Sequence, residues 1–314
     1  MNSRRAYIVG AYLPNGGTLM AYHLGRILEE EFGFRAVAVA TGNETADNGI
    51  HEYALHMPPV PLAQMEQEIA RDDVMIVNPS FSSHQFGWRL PGFKVSYVQG
   101  FSTYALLDRK LDHYVAVSSF VRDFLHTVYG VDARVIPPFI DLDGAPPPTP
   151  WAQRPPSVVL PYRKGIPEAW ETSWQRLRAI LAERAPHITL AEPQSGSGVP
   201  HTALLSQLGA VRYFLTLSAA EGFGLVPLEA MAMGTMVVGY DGFGGRHYMR
   251  AGENCDVAPY PDIERVAEML INAIRTPGRS EEIAARGVKT AAQYSRESFR
   301  RAWIEEFRRV LPNA

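Results

Sequence analysis

The stretch VRYFLTLSAAEGFGLVPLEAMAMGTMVVGY, Val211 to Tyr240, sets two apolar runs on either side of a glycine-rich turn and a short helical segment. Val211–Ser218 reads as a buried strand, so the loop Ala219–Gly224 lies at its carboxyl end. Pro227 suits the first turn of a helix, where its missing N–H leaves no bond unmade, and Gly234 suits a helix end. Leu228–Met233 is the helix between them, and Thr235–Tyr240 is the next strand. Strand, helix and parallel strand form the unit of doubly wound α/β sheets, whose ligands sit beyond the carboxyl ends of the strands.

The same grammar extends in both directions. Toward the N-terminus, AYIVGAY reads as a first strand, followed by the loop Leu13–Gly17 and a helix from about Thr18 to Phe32 with Met20, Leu24, Ile27 and Leu28 on one face. FRAVAVA, DVMIVN, KVSYVQ and HYVAVS read as further strands, the last leading into a helix through Tyr129 and then ARVIPPFID. The second half opens with the strand SVVLPYRKG, continues through a helix rich in Trp and Leu, and reaches HITLAE. Between the halves lies GAPPPTPWAQRPP, Gly144 to Pro156, whose six prolines block helix interiors and central strands and read as a semi-rigid linker. The expected organisation is a first Rossmann-like domain over 1–146 and a second over 147–294. The segment 295–314 is an amphipathic helix with Phe299, Trp303, Phe307 and Leu311 as its apolar stripe. Its five arginines interleave with Glu297, Glu305 and Glu306, the pattern of a solvated face on a docked helix.

With 314 residues, 46% hydrophobic and 20% charged, the chain has enough material for two such cores. A net charge of −3 argues against a nucleic-acid partner, which calls for a basic excess. A single cysteine, Cys255, excludes an internal disulfide and fits a reducing compartment. The apolar run after Arg4 and Arg5 is broken by Gly10 and Pro14, so a first strand is the expectation over a leader. No run of about 18 apolar residues occurs, so no transmembrane helix and a cytoplasmic location are expected.

Chemistry concentrates in EGFGLVPLE. Glu221 falls in the turn, Glu229 in the first helical turn, and the amides near Phe223, Gly224 and Leu225 border the same crevice. A glycine-exposed helix N-terminus attracts phosphate, while a carboxylate beside it accepts two hydrogen bonds from the neighbouring hydroxyls of a ribose or hexose. Each such charge-assisted bond contributes roughly 1.5–3 kcal/mol. Phosphate together with two polyols describes a nucleotide sugar.

EGFGLVPLEAMAMGT resembles the Glu-x7-Glu signature of the retaining glycosyltransferases of family 4. AVSSFVRDFLHTVYGVDARVIPPFID is similar to that family's strand–helix–strand passage at the end of the first domain, and GENCDVAPYPDIERVAEML to its region after the donor site. The resemblance implies the GT-B fold: two doubly wound parallel-sheet domains facing a central cleft, donor on the second and acceptor on the first, with the helix of 295–314 returning to join the first. It implies that Glu229 holds the ribose hydroxyls, Glu221 a hydroxyl of the transferred sugar, and the amides of Phe223, Gly224 and Leu225 the donor. It also implies that Arg163 and Lys164 of PYRKG hold the diphosphate, although the family usually spaces arginine and lysine further apart. Gly16 and Gly17 of LPNGGT stand where the family's glycine loop approaches donor phosphate and acceptor. Many members carry a histidine where SYVQGF has Gln99, which cannot titrate; it either takes a positional role or pairs with backbone. In such enzymes the leaving phosphate is thought to take the acceptor's proton.

His84 is a second candidate, equally readable as a surface loop residue, and GFGGRH (Gly242–His247) is either a source of donor-binding amides or a plain loop. Nine histidines without HExxH, and no cysteine pair, give a metal no framework. The expectation is a metal-independent retaining glycosyltransferase of polysaccharide biosynthesis with no cofactor beyond its nucleotide-sugar co-substrate. Its acceptor would be a glycan, a lipid-linked glycan or a small molecule, which leaves room for peripheral membrane contact. The alternatives are a non-catalytic nucleotide-sugar binding protein and a GT-B-fold nucleotide-sugar epimerase or hydrolase.

Overall fold

A computed structural model describes residues 4–10, 16–41, 57, 59–77, 84–101, 106–163, 167–194 and 199–312. The chain falls into two compact units, Met1–Pro138 with Glu297–Ala314, and Phe139–Arg296.

The first unit contains β1 (Arg5–Gly10), α1 (Gly16–Phe32), β2 (Arg35–Ala40), β3 (Pro59–Pro61), α2 (Leu62–Glu68), β4 (Val74–Val77) and α3 (Phe86–Arg89). It continues with β5 (Phe93–Val98), β6 (His113–Ala116), α4 (Ser119–Phe124) and β7 (Arg134–Val135). These strands form a parallel sheet in the order β3-β2-β1-β4-β5-β6-β7. Strand order reverses between β1 and β4, the doubly wound arrangement that the alternating sequence pattern predicts. The extra strand β3 begins and ends on proline, which lacks an N–H to donate, and it accordingly occupies the sheet edge. Ser118 caps α4 by accepting from the Val121 amide, and the helix runs on through a π turn to Tyr129.

The final helix, α10 (Arg296–Val310), buries Phe299, Trp303 and Phe307. Trp303 meets Tyr97 of β5 edge-on at 5.0 Å, and Phe307 meets Phe32 of α1 at 5.9 Å. On the same helix the fully buried Glu306 receives His113 at 2.7 Å, Arg134 at 2.8 Å and Arg309 at 2.5 Å.

The second unit contains β8 (Val158–Tyr162), α5 (Pro167–Arg184), β9 (Thr189–Leu190), α6 (His201–Ala210), β10 (Tyr213–Thr216) and α7 (Leu225–Ala232). After these come β11 (Met236–Tyr240), β12 (Asp256–Ala258), α8 (Ile263–Arg275) and α9 (Pro277–Ala291). Its parallel sheet runs β12-β11-β10-β8-β9, so the order reverses between β8 and β10. Ligands of open α/β sheets bind beyond the strand ends at such a reversal. Tyr162 of β8 stands in register with Thr216 of β10, so the segments that leave these two strands start side by side.

The proline-rich stretch 144–156 lies inside the second unit and is tied down within it. Its Arg154 is buried, and the guanidinium donates to the carbonyls of Thr149, Val211, Met233 and Gly234 and to Thr235 Oγ1 over 2.7–3.1 Å. Met233 and Gly234 end α7, where free carbonyls and the helix dipole favour a cation. Among the described residues, no helix is long and apolar enough to cross a membrane.

Candidate functional site

The site is assembled where β8 and β10 end. The helix after β10 starts at Leu225, earlier than the sequence reading placed it, so Glu229 lies in its second turn. Gly224 takes the N-cap position at φ +88°, a left-handed conformation that a side chain would strain. Its carbonyl accepts a 2.5 Å hydrogen bond from the Tyr248 hydroxyl, and burial pushes that phenol well up from its ordinary pKa. Phe223 is buried, its ring against Tyr248 at 5.1 Å and Tyr294 at 5.4 Å. The ring anchors the turn, which leaves any ligand contact of Phe223 to its backbone. The first-turn amides of α7, including Leu225, have no acceptor within the helix.

The segment Gly242–His247 supports this turn from beneath. The Glu221 amide donates to Gly242 O at 2.8 Å and the Gly244 amide to Glu221 O at 3.0 Å. A Cβ on Gly244 would stand 2.3 Å from the Gly222 carbonyl, so only glycine fits. The amides of Phe243, Gly244, Gly245 and Arg246 all find acceptors in Asp241, Glu221 or Phe243. The loop therefore holds Glu221 in place and keeps those amides for itself.

Glu229 is 5% exposed. Its Oε1 lies 3.0 Å from His201 Nε2, while Oε2 is buried with no hydrogen-bond partner among the described residues. A buried carboxylate oxygen without a donor is costly, on the order of 1–3 kcal/mol or more. It marks an acceptor that a ligand hydroxyl would satisfy. Ser218 Oγ, at the end of β10, is likewise buried and unpartnered. Tyr162 ties the group together: burial, then the charges of Glu221 and Glu229, push its phenol up. Glu221, Glu229 and Tyr162 thus share one electrostatic environment at the strand-order reversal.

Arg163 follows directly on β8. Its guanidinium lies 4.5 Å from the Trp174 ring and 5.3 Å from Trp170, both on α5, and 3.8 Å from Glu192. Stacking of this kind contributes about 0.5–2 kcal/mol and fixes the plane of the guanidinium. Lys164 lies outside the described residues.

In the first unit, Gln99 follows β5 and its Nε2 donates to Gly17 O at 2.6 Å. That joins Gln99 to Gly17, which with Gly16 opens α1, and of the two readings open for Gln99 the geometry gives the bond to backbone. His84 stacks on Phe86 at 5.1 Å. Among the described residues, no group of three or more His, Cys, Asp or Glu could hold a metal ion.

Sequence reasoning did not find His201, Tyr162 or Tyr248. His201 precedes Glu229 by 28 residues on a separate helix, and PHTALL signals a helix start and nothing more. Tyr162 and Tyr248 read as apolar filling, because burial shows in a sequence while the direction of a hydroxyl does not.

Residues 197–290 match the family described as "Glycosyl transferases group 1". The chain is 31% identical over 93 residues to the poly(glycerol-phosphate) alpha-glucosyltransferase of Bacillus subtilis, covering 29% of this chain and 14% of that protein. It is 28% identical over 148 residues to the phosphatidyl-myo-inositol mannosyltransferase of Mycobacterium leprae, covering 44% and 38%. The match thus spans well under half the length of either relative. Among solved structures, Anabaena HepE in complex with UDP and glucose superposes with a TM-score of 0.77 at 14% identity, over 98% of this chain and all of that one. Two parallel α/β sheets of seven and five strands, together with this likeness, make this a GT-B fold.

Proposed function

We propose that this chain is a retaining glycosyltransferase that moves a sugar from a nucleotide-sugar donor to a hydroxyl acceptor. The observation that carries the reading is the unpaired Oε2 of buried Glu229 beside the N-terminus of α7. An unpaired carboxylate oxygen at a helix N-terminus suits a ligand that brings both hydroxyls and phosphate. The match of residues 197–290 to a glycosyltransferase family supports it independently.

In this reading Glu229 takes the ribose hydroxyls, Glu221 a hydroxyl of the sugar, and the amides of Phe223, Gly224 and Leu225 the donor. The bond between the anomeric carbon and the diphosphate oxygen breaks, and the acceptor oxygen bonds to that carbon on the same face. The acceptor's proton passes to the leaving diphosphate, so no protein base is required and Gln99 keeps a positioning role against Gly17. Arg163 and Lys164 supply the positive charge that the leaving group needs as its own negative charge grows. No metal or further cofactor enters the step. The second unit is the donor side and the first the acceptor side. The acceptor is a glycan, a lipid-linked glycan or a small molecule, the cytoplasm is the expected location, and polysaccharide biosynthesis is the expected setting.

A non-catalytic nucleotide-sugar binding protein is the second reading, favoured by the engagement of Arg163 with Trp170, Trp174 and Glu192. Incubation with UDP-, GDP-, ADP- and dTDP-sugars separates the two. UDP-glucose comes first, because HepE was solved with UDP and glucose. Nucleotide released only when a sugar acceptor is added supports transfer, release without acceptor points to a hydrolase, and binding without turnover points to the binder. Lys164→Ala is expected to lower turnover by about 10²-fold or more, the loss typical of deleting an electrostatic stabiliser. An unchanged rate would remove Lys164 from the site.

A further inference from the structure

His201 begins α6 and belongs to none of the elements that the nucleotide-sugar reading uses. Its Nε2 lies 3.0 Å from Glu229 Oε1, and its side chain is 23% exposed, so it lies between the buried carboxylate and solvent. A protonated histidine at a helix N-terminus opposes the helix dipole. The pKa of His201 is nevertheless raised, first by the hydrogen bond to Glu229, against burial, and further by the charges of Glu229 and Asp141. The charged groups facing the ring are therefore Glu229 from α7 and Asp141 from the segment after β7, which is itself bonded to Arg296 at 2.8 Å. That segment packs closely on the start of α6, since a Cβ on Gly144 would stand 3.4 Å from Thr202.

We propose that His201 is a positioning residue for the donor: it holds Oε1 of Glu229, leaves Oε2 to a ribose hydroxyl, and balances the carboxylate's charge beside a diphosphate. The inference rests on the nucleotide-sugar reading above. A diphosphate placed near a bare buried carboxylate would be repelled by it, whereas an imidazolium on the far oxygen offsets that repulsion. An anionic donor favours the protonated ring, so binding and protonation reinforce each other. Donor affinity is then high below the raised pKa of His201 and falls as pH rises through it, above about 6.5.

The test measures Kd by calorimetry on the full chain at pH 6.0 and 8.5, with UDP-glucose, GDP-mannose, ADP-glucose and dTDP-glucose as probes. Their diphosphate diesters do not titrate in this range and the ring N–H of uracil, guanine and thymine ionises only slightly at pH 8.5, so a severalfold slope belongs to the protein. Wild type is expected to bind its preferred probe about three- to tenfold more weakly at pH 8.5, the scale of one partly lost charge pair. His201→Gln keeps a donor for Oε1 but cannot titrate, and should bind with a flat profile. His201→Ala should raise KM for the donor by a larger factor than it lowers kcat. A wild-type slope in His201→Gln, or an unchanged Kd in His201→Ala, overturns the inference while the nucleotide-sugar reading stands. If wild type binds none of the four probes at either pH, both fall together.

Discussion

Glu306 and Glu229 are both buried glutamates on helices, and each has a histidine Nε2 against its Oε1. Glu306 is saturated: besides His113 it takes Arg134 at 2.8 Å and Arg309 at 2.5 Å, so both oxygens are engaged. Glu229 has His201 alone, and its Oε2 meets no donor among the described residues. One carboxylate fastens α10 to β6 and β7 of the first unit; the other stands half-satisfied at a strand-order reversal. A buried acceptor left unpaired calls for an explanation, and a ligand that supplies the missing bond is one. Under the proposed reading, the contrast leaves Glu306 to the fold and Glu229 to the donor.

The sharpest way to break that contrast is to remove Glu229. Losing one or two charge-assisted bonds at about 1.5–3 kcal/mol each predicts that Glu229→Ala weakens donor binding by at least about tenfold. Glu229→Gln, which can still bond His201, should change stability by less than about 1 kcal/mol, because the amide also relieves a buried charge. Equilibrium urea unfolding together with donor titration reads both quantities. A Glu229→Gln protein that is strongly destabilised would make Glu229 a second Glu306, and the ligand assignment would fail.

How far the sequence could distinguish the two glutamates shows what kind of information it carries. The strands, the glycine turn and the helix of Val211–Tyr240 are legible, because apolar runs, Pro227 and Gly234 act locally. The stripe of α10 is legible for the same reason, and Phe299, Trp303 and Phe307 are all buried. Glu306, however, reads as part of that helix's solvated face, because its partners His113 and Arg134 are supplied by β6 and β7. Arg154, inside the segment read as a linker, is invisible likewise, since its carbonyl partners come from several elements. The spacing of Glu221 and Glu229 makes Glu229 a candidate in the sequence, but which oxygen is free depends on His201, brought in from α6. Local pattern shows in a chain; pairing across elements does not.

Glu306→Ala tests the structural half. Deleting one partner of a fully buried ion pair costs about 3–5 kcal/mol, but Arg134 and Arg309 reach solvent and can rehydrate, so about 2 kcal/mol is expected. The loss should appear as a lower urea midpoint, with donor Kd unchanged. A donor Kd that moves as far as in Glu229→Ala would erase the distinction between the two residues.

The smallest effect is also the most discriminating, because the two histidines shift in opposite directions. Burial lowers the pKa of His113, more than the charge of Glu306 raises it, so its folded-state preference for the neutral ring stabilises above about 6.5 and is lost as pH falls through the lowered value. Glu306 acts in the same sense: burial raises it, but the Arg309 hydrogen bond and the charges of Arg134 and His113 bring it below 4.5. Its contribution is present above that value and fades as pH falls through the folded one. His201 is raised, first by its bond to Glu229, so its contribution is complete below about 6.5 and is lost as pH rises through the higher folded value. Hydrogen exchange, corrected for intrinsic rates, should therefore show α10 loosening toward acid and α7 toward alkali. His113→Gln should flatten the first trend and leave the second, and His201→Gln the reverse. Helices that loosen together, in either direction, would mean that global unfolding sets both signals and that the two histidine–glutamate pairs do not act separately.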